Sequence, residues 1–310
     1  MGPRVKFFLT LAIGFTGAVV AFYAGLPAAP LIGSAIAVSL ASLCNLTRTI
    51  PVGFRAIAFS IIGSSLGSSL TRDFVSHAIH WPLSLFILTI CVITIMISCS
   101  FVLIRVFDQS AETAFLATSP GALAYSISIA LEGVGDVRSI VVIQSVRLLL
   151  IIAFLPFVLD YFSGHPGGGS TGAGVAPSMP VSDFLIIFLL TLVFGWLLEK
   201  KRVPAAYLLV GTVVSGAAHV MGLVEGRPSG MILFIGFTIT GTIIGARFST
   251  ISRGELKRLL KASLVVVSLA TSIAAGFAFL ASSLLSIPYG QVLVAFAPGG
   301  VEAMAAMALA

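Results

Sequence analysis

Two stretches of the sequence decide the fold: residues 117–126 read ATSPGALAYS, and residues 295–304 read AFAPGGVEAM. Each stretch places a Pro-Gly pair inside an otherwise apolar run, and the two prolines are 178 positions apart. Proline removes a backbone donor and glycine tolerates non-helical conformations, so each pair should interrupt a helix. Matching interruptions at a fixed spacing indicate that the chain contains two related halves.

The same spacing recurs in two glycine motifs. Gly63 and Gly67 of IIGSSLGSSL correspond to Gly241 and Gly245 of TITGTIIGARF, again 178 positions later. The motif LPAAPL is followed 177 positions later by VPAAYL, so a one-residue insertion reconciles all the matches. Because glycines four residues apart let helices approach closely, we predict that both glycine pairs lie in helix packing contacts.

A segment of different composition separates the two halves. Residues 162–181 read FSGHPGGGSTGAGVAPSMPV, which is the Gly-, Ser- and Pro-rich composition of a flexible linker. We therefore predict a first membrane repeat at residues 1–161, a linker at residues 162–181 and a second membrane repeat at residues 182–310.

The overall composition places the chain in a membrane. Hydrophobic residues make up 58% of the chain, charged residues 9%, and the mean hydropathy is +1.14. A soluble domain carries about 25% charged residues. The apolar runs follow one another at about the 20 residues that a bilayer crossing needs. The predicted fold class is an all-α polytopic membrane protein.

The basic residues distinguish two topologies for the Pro-Gly segments. If both segments are re-entrant hairpins, each half has about five spans and the second half is inverted, with 14 of the 17 Lys and Arg residues on the N-terminal side. These are Arg4, Lys6, Arg48, Arg55, Arg105, Arg138, Lys200, Lys201, Arg202, Arg247, Arg253, Lys257, Arg258 and Lys261. If the segment at Pro120 crosses fully, six basic residues lie inside and ten outside. Because short cytoplasmic loops are enriched in Lys and Arg, we predict hairpins, a bacterial inner-membrane location and a cytoplasmic N-terminus.

The two Pro-Gly segments also carry a family resemblance. Residues 117–150, ATSPGALAYSISIALEGVGDVRSIVVIQSVRLLL, and the C-terminal APGGVEAMAAMALA resemble the two copies of the duplicated membrane segment in the AbrB-type membrane protein family. Members are often labelled as an ammonia monooxygenase or as an AbrB-like regulator. Inverted halves with re-entrant tips are also similar to the glutamate/sodium and citrate/sodium symporter architecture. In one departure, Ala310 corresponds to Glu132, so the last helix of the second repeat is absent from this sequence.

The helix interruptions supply the candidate binding residues. Backbone groups freed by a break should line a protein-enclosed cavity, and paired breaks in two halves point to a solute site. We predict solute or ion contacts at the two tips. These residues are Thr118, Ser119, Pro120, Gly121 and Tyr125 in the first half, and Pro298, Gly299 and Gly300 in the second.

Two charged residues lie inside predicted spans. Glu302 follows Pro298 by four residues, and Arg147 lies near the middle of its apolar run. Charges inside a membrane are costly and usually functional. Glu302 could bind a coupling cation, carry a proton or pair with Arg147, or it could form a purely structural ion pair. Arg147 could contact Glu302 or an anionic substrate, or it could serve helix packing through carbonyl contacts.

The sequence favours a secondary transporter of a small organic solute, coupled to Na⁺ or H⁺, because no nucleotide-binding motif is present to drive a pump. We expect no enzymatic activity, cofactor or nucleic-acid partner, and we expect that the chain can form a homodimer. One alternative is a membrane-embedded regulatory or partner protein without transport activity. A membrane oxygenase is another, but its metal would depend on His77 and His80, which no carboxylate cluster joins.

Overall fold

The computed structural model describes residues 3–70, 81–119, 126–127, 129–130, 133–163, 178–201, 203–299 and 304–305. These residues contain the eleven α-helices described below. They are α1 (Pro3–Tyr23), α2 (Ala29–Leu43), α3 (Val52–Gly67), α4 (Trp81–Phe107), α5 (Ala111–Thr118), α6 (Val137–Ser163), α7 (Val181–Lys200), α8 (Ala206–Val220), α9 (Gly230–Ala246), α10 (Arg253–Leu285) and α11 (Tyr289–Phe296). A 3₁₀ turn, Arg247–Thr250, joins α9 to α10.

Helix length and composition confirm the predicted fold class. Six helices are long and apolar enough to cross a membrane, namely α1, α4, α6, α7, α9 and α10. Three further apolar helices, α2, α3 and α8, are 15 or 16 residues long. No strand is found in the described part of the chain beyond an isolated bridge between Ser178 and Arg227. The protein is therefore an all-α polytopic membrane protein.

The chain forms two compact units, each combining helices that precede residue 164 with helices that follow residue 177. The first unit contains α1 to α3 and α7 to α9, and the second contains α4 to α6 with α10 and α11. The division into sequential halves at residues 162–181 stays a prediction, because it concerns sequence order and the units concern spatial packing.

Glycines bring helix backbones together in the first unit. A Cβ at Gly63 would meet the carbonyl oxygen of Leu208 on α8, and a Cβ at Gly241 would meet the carbonyl oxygen of Leu31 on α2. At the α3–α8 crossing, the Ser215 hydroxyl donates to the carbonyl of Ser64 at 2.7 Å. These contacts confirm the predicted packing role of the glycine motifs.

Helix boundaries recur at the spacing seen in the sequence. Helix α5 covers residues 111–118 and α11 covers residues 289–296, a shift of 178. Two non-glycine residues with positive φ precede matching helices 177 positions apart: Ala28 before α2 has φ 48°, and Ala205 before α8 has φ 52°. An L-residue adopts this conformation at a cost, and the turns before α2 and α8 share it.

The second unit is built around α10. This helix packs against α4, α6 and α11, while α5 packs between α4 and α6. A row of buried alanines lines the core face of α10, and their small side chains let neighbouring helices approach closely. They are Ala262, Ala270, Ala274, Ala278 and Ala281.

Candidate functional site

The first helix break follows α5. The Ser119 N–H completes the helix by donating to the carbonyl of Phe115 at 2.9 Å, and Ser119 itself is extended at φ −56° and ψ 133°. The next residue, Pro120, has no N–H to offer the carbonyl of Leu116. Carbonyl oxygens from Leu116 onward therefore need donors from outside α5.

Two side chains of α6 supply these donors. Gln144 Nε2 donates to the carbonyl of Leu116 at 2.7 Å. Arg147 donates through Nη1 to the carbonyl of Thr118 at 3.2 Å and through Nη2 to that of Ser119 at 3.3 Å. Gln144 and Arg147 are 1% and 3% exposed, and their spacing of three residues places them on one helix face. Together they satisfy three carbonyls at the break.

Hydroxyl groups connect the break to its surroundings. The hydroxyls of Ser100 and Thr118 are 2.8 Å apart, and those of Ser119 and Ser126 are 3.3 Å apart. Gln144 Nε2 also donates to the Ser126 hydroxyl at 3.1 Å. Ser126 follows the Pro-Gly pair in the sequence, so the chain has come back beside the end of α5.

The residues that flank the first Pro-Gly segment are also close together. The Asp136 N–H donates to Thr113 Oγ1, near the start of α5, at 2.8 Å. Gly135 has φ 97°, and a Cβ there would approach the Thr113 backbone at 3.1 Å. Residues 113 and 136 therefore lie side by side although the Pro-Gly pair separates them in the sequence.

Asp136 also caps α6. Its carboxylate accepts hydrogen bonds from the N–H groups of Arg138 at 3.1 Å and Ser139 at 3.3 Å, and from the Ser139 hydroxyl at 2.6 Å. Partial burial raises the pKa of Asp136, but these hydrogen bonds outweigh that effect and hold the pKa below its ordinary value. The capped end fixes where α6 begins relative to α5.

The second helix break follows α11 and has the same backbone form. The Ala297 N–H donates to the carbonyl of Leu293 at 2.9 Å, and Ala297 is extended at φ −57° and ψ 132°. The Gly299 N–H then donates to the carbonyl of Ala297 at 2.7 Å. A Cβ at Gly299 would meet the Met304 side chain, which packs against this glycine and would have to move.

A cavity of about 500 Å³ lies against the second break. Its walls come from α6, α10 and α11 together with Ala297 and Pro298. Leu150 and Ile151 of α6 line it, and they lie one helical turn, about 5.4 Å of rise, beyond Arg147 on the same face. Helix α6 thus contacts the first break at residues 144–147 and borders the cavity at the second break from residue 150 onward.

The structure describes half of the predicted site residues. It places Thr118, Ser119 and Arg147 at the first break and Pro298 and Gly299 at the second. Arg147 makes the carbonyl contacts that were one of the predicted alternatives. The remaining predicted residues lie outside the described part of the chain. They are Pro120, Gly121, Tyr125, Gly300 and Glu302.

Sequence reasoning missed Gln144. It is an amide inside the apolar run of α6, three residues before Arg147, and a buried amide in a span must find hydrogen-bond partners. Its position in the sequence therefore marks Gln144 as a buried hydrogen-bonding group, but does not identify Leu116 and Ser126 as its partners.

Groups of three or more potential metal ligands are not found among the described residues. His77 and His80 lie outside that part of the chain. The ring nitrogens of His219 lie 2.7 Å from the carbonyl of Ser215 and 2.9 Å from that of Gly226, which is a structural arrangement.

The fold and these two breaks define a polytopic membrane protein in which one helical unit carries a polar cluster and a half-open cavity. Comparison with known families assigns it more closely. The sequence model of the family described as "Transition state regulatory protein AbrB" matches residues 6–310. The chain belongs to this AbrB family, in agreement with the resemblance noted in the sequence.

Two curated relatives are similar over most of the chain. The Escherichia coli (strain K12) protein named "Putative regulator AbrB" is 24% identical over 302 residues, covering 97% of this chain and 84% of the relative. The Bacillus subtilis (strain 168) protein named "Uncharacterized protein YhjN" is 26% identical over 276 residues, covering 81% and 69%. No solved structure matches.

Proposed function

We propose that the protein is a secondary transporter of a small organic solute, coupled to Na⁺ or H⁺, with its site between the two Pro-Gly tips. The observation that carries the proposal is the arrangement of both breaks along α6, with a cavity of about 500 Å³ at the second. Discontinuous helices at a shared cavity are how many transporters form a solute site. The buried cation Arg147 favours an anionic solute.

We further propose that each Pro-Gly segment is a re-entrant hairpin and that the second half is inverted. The hydrogen bond between Asp136 and Thr113 supports a hairpin, because a fully crossing helix would carry these residues to opposite membrane faces. The shift of 178 between α5 and α11 supports a matching segment in the second half. With one re-entrant tip, a half has an odd number of spans, and the next half starts on the other side.

A coupling cation is proposed at the second break. The carboxyl end of α11 carries partial negative charge, and the described residues that line the adjacent cavity include no basic side chain. At the first break, Arg147 already occupies the carbonyls of Thr118 and Ser119. The two breaks therefore differ in charge, and Na⁺ or H⁺ suits the second.

The proposed setting is the bacterial inner membrane, with a cytoplasmic N-terminus and the chain able to form a homodimer. The excess of Lys and Arg on the N-terminal side supports this orientation. In this role the protein performs no covalent chemistry on its solute and binds no nucleic acid.

Reconstitution tests the proposal directly. Purified protein in liposomes should take up members of a panel of organic acids when a Na⁺ or H⁺ gradient is imposed. Uptake should stop when an ionophore collapses that gradient, and protein-free liposomes provide the control. Absence of uptake across the panel by protein that still unfolds cooperatively would contradict transport.

A membrane-embedded regulatory or partner protein is the second candidate, because one relative carries a regulator's name. This candidate predicts a stable complex with another protein and unchanged function in a Glu302→Gln variant. Purification from native membranes in mild detergent distinguishes the two: a stoichiometric partner without solute uptake would favour the regulator.

A further inference from the structure

The cavity at the second break has a largely apolar wall, which is unusual for a site that binds an organic acid. Among the described residues that line it, none is charged and most are aliphatic or aromatic. Its polar lining consists of the hydroxyl residues Ser268, Thr271, Ser272 and Tyr289. Such a wall suits an apolar group with few hydrogen-bonding atoms.

Two of the three hydroxyls that α10 contributes to this wall are poorly arranged to hold a carboxylate. Thr271 Oγ1 donates to the carbonyl of Val267 at 2.8 Å, and Ser272 Oγ donates to that of Ser268 at 2.8 Å. A hydroxyl has one proton to donate, so these two side chains present acceptor lone pairs to the cavity. A carboxylate accepts hydrogen bonds and must therefore find its donors elsewhere.

Arg147 is the positive charge nearest to this wall along α6, one turn before Leu150 and Ile151. Its Nη atoms bind carbonyls, whereas its Nε has no hydrogen-bond partner among the described residues. A carboxylate is likewise not found within ion-pair distance of it in the described part of the chain. A buried guanidinium can compensate one negative charge, but further charges would stay unpaired at high cost.

We infer that the solute is an amphipathic monocarboxylate, which rests on the transport function proposed above. Its apolar body lies against α6, α10 and α11, and its carboxylate is directed along α6 toward Arg147, one helical turn before the lining residues Leu150 and Ile151. The cavity of about 500 Å³ lies within the range that accommodates drug-sized ligands, about 300–1,000 Å³. Compact di- and tricarboxylates are excluded, because they carry excess charge and no apolar body.

Binding to the whole protein in phosphatidylcholine nanodiscs tests the inference independently of transport. We expect 4-phenylbutyrate to raise the Tm in a saturable way, while citrate and succinate leave it unchanged. Stabilisation by citrate and not by 4-phenylbutyrate overturns the inference.

Variants of the wall locate the bound group. Ala275→Phe and Ser272→Phe fill the cavity from α10 and should each weaken 4-phenylbutyrate binding by about tenfold or more, equivalent to about 1.4 kcal/mol. Gly276→Phe is the matched control, because a Cβ there meets nothing within 4 Å and residue 276 does not line the cavity. Equal weakening by the control overturns the placement.

Arg147→Gln provides a readout that a folding defect would not give. It should lower affinity for 4-phenylbutyrate and raise the relative affinity for the uncharged 4-phenylbutanol, whereas Arg147→Lys should keep the preference for the acid. An unchanged preference in Arg147→Gln overturns the role of the guanidinium charge.

Two outcomes separate this inference from its alternatives. If 4-phenylbutyrate binds as described but never moves in proteoliposomes, the site stands and the transport function fails. If succinate is transported without binding of 4-phenylbutyrate, transport stands and the inference fails. Phosphatidylglycerol in the nanodiscs supplies an anionic lipid, and stabilisation by this lipid alone would identify the occupant as a lipid and overturn the inference.

Discussion

Gln144 shows at the scale of a single residue why a buried amide can be required inside an apolar helix. It is 1% exposed and joins the carbonyl of Leu116 to the hydroxyl of Ser126, on either side of the first break. Each such hydrogen bond contributes about 0.5–1.5 kcal/mol to stability. The side chain therefore stabilises the broken segment as well as α6.

We predict that Gln144→Leu lowers the free energy of unfolding by about 1–3 kcal/mol, because two hydrogen bonds from Nε2 are lost, while the Leu116 carbonyl and the Ser126 hydroxyl keep the Ser119 hydroxyl as a partner. Chemical or thermal unfolding in detergent measures this change. Gln291→Leu is the control, since it removes the same amide from an exposed position. Equal destabilisation by both variants would contradict the structural role of Gln144.

Asp136 is a single residue whose contribution to the stability of the fold depends on pH. Its pKa is lower in the folded state, so the carboxylate stabilises the fold above its unfolded pKa of about 3.9, and this contribution is lost as the pH falls through the lower folded value. We predict that the stability difference between the wild type and Asp136→Asn shrinks as the pH falls from 7 toward 3. Unfolding midpoints measured over this range test the prediction, with Asp108→Asn as an exposed control. A difference that does not change with pH would count against it.

At the scale of elements, helix crossings in the first unit depend on glycine. Backbone atoms of Leu208 and Leu31 occupy the space that a Cβ at Gly63 or Gly241 would need. Backbone cannot rotate away as a side chain can, so a larger residue must separate the helices. At Gly63, a larger residue would also break the hydrogen bond from the Ser215 hydroxyl to the Ser64 carbonyl.

We predict that Gly63→Leu and Gly241→Leu each destabilise the protein by about 1–3 kcal/mol through overpacking. Gly276→Leu should be neutral or stabilising, because the position is open and leucine favours a helix over glycine by up to about 1 kcal/mol. Unfolding midpoints of the three variants in one detergent make the comparison. A midpoint for Gly63→Leu at or above that of Gly276→Leu would refute the close contact.

At the scale of the whole molecule, the order of helices along the chain differs from their grouping in space. Helices α1 to α3 pack with α7 to α9, and α4 to α6 pack with α10 and α11. Each unit thus depends on both sides of the linker. Neither sequence half by itself contains a complete set of packing partners.

The hairpin topology makes a prediction at this scale. Glu112 and Val134 are exposed at the two ends of the first Pro-Gly segment. Single cysteines at these positions, in a background with Cys44, Cys91 and Cys99 replaced by alanine, should react with an impermeant thiol reagent from the same side, the cytoplasm. A cysteine at Arg227 should react from the opposite side. Labelling of positions 112 and 134 from opposite sides would show that the segment crosses fully.

The sequence by itself determined the membrane class and the two helix breaks. Apolar length, proline and glycine act locally, so their consequences can be predicted without knowing what packs against them. The recurrence of α5 as α11 follows from the same local signals.

Only the tertiary structure decided the partners of the polar groups. Arg147 could have faced a solute, Glu302 or carbonyls, and its contacts with Thr118 and Ser119 depend on which face of α6 meets α5. Tertiary packing likewise decides the role of Gln144 and the cavity beside Pro298. It also decides which helices group into each of the two units. These features join residues far apart in the chain, and hydrophobic burial, which lacks direction, does not specify such pairings from sequence alone.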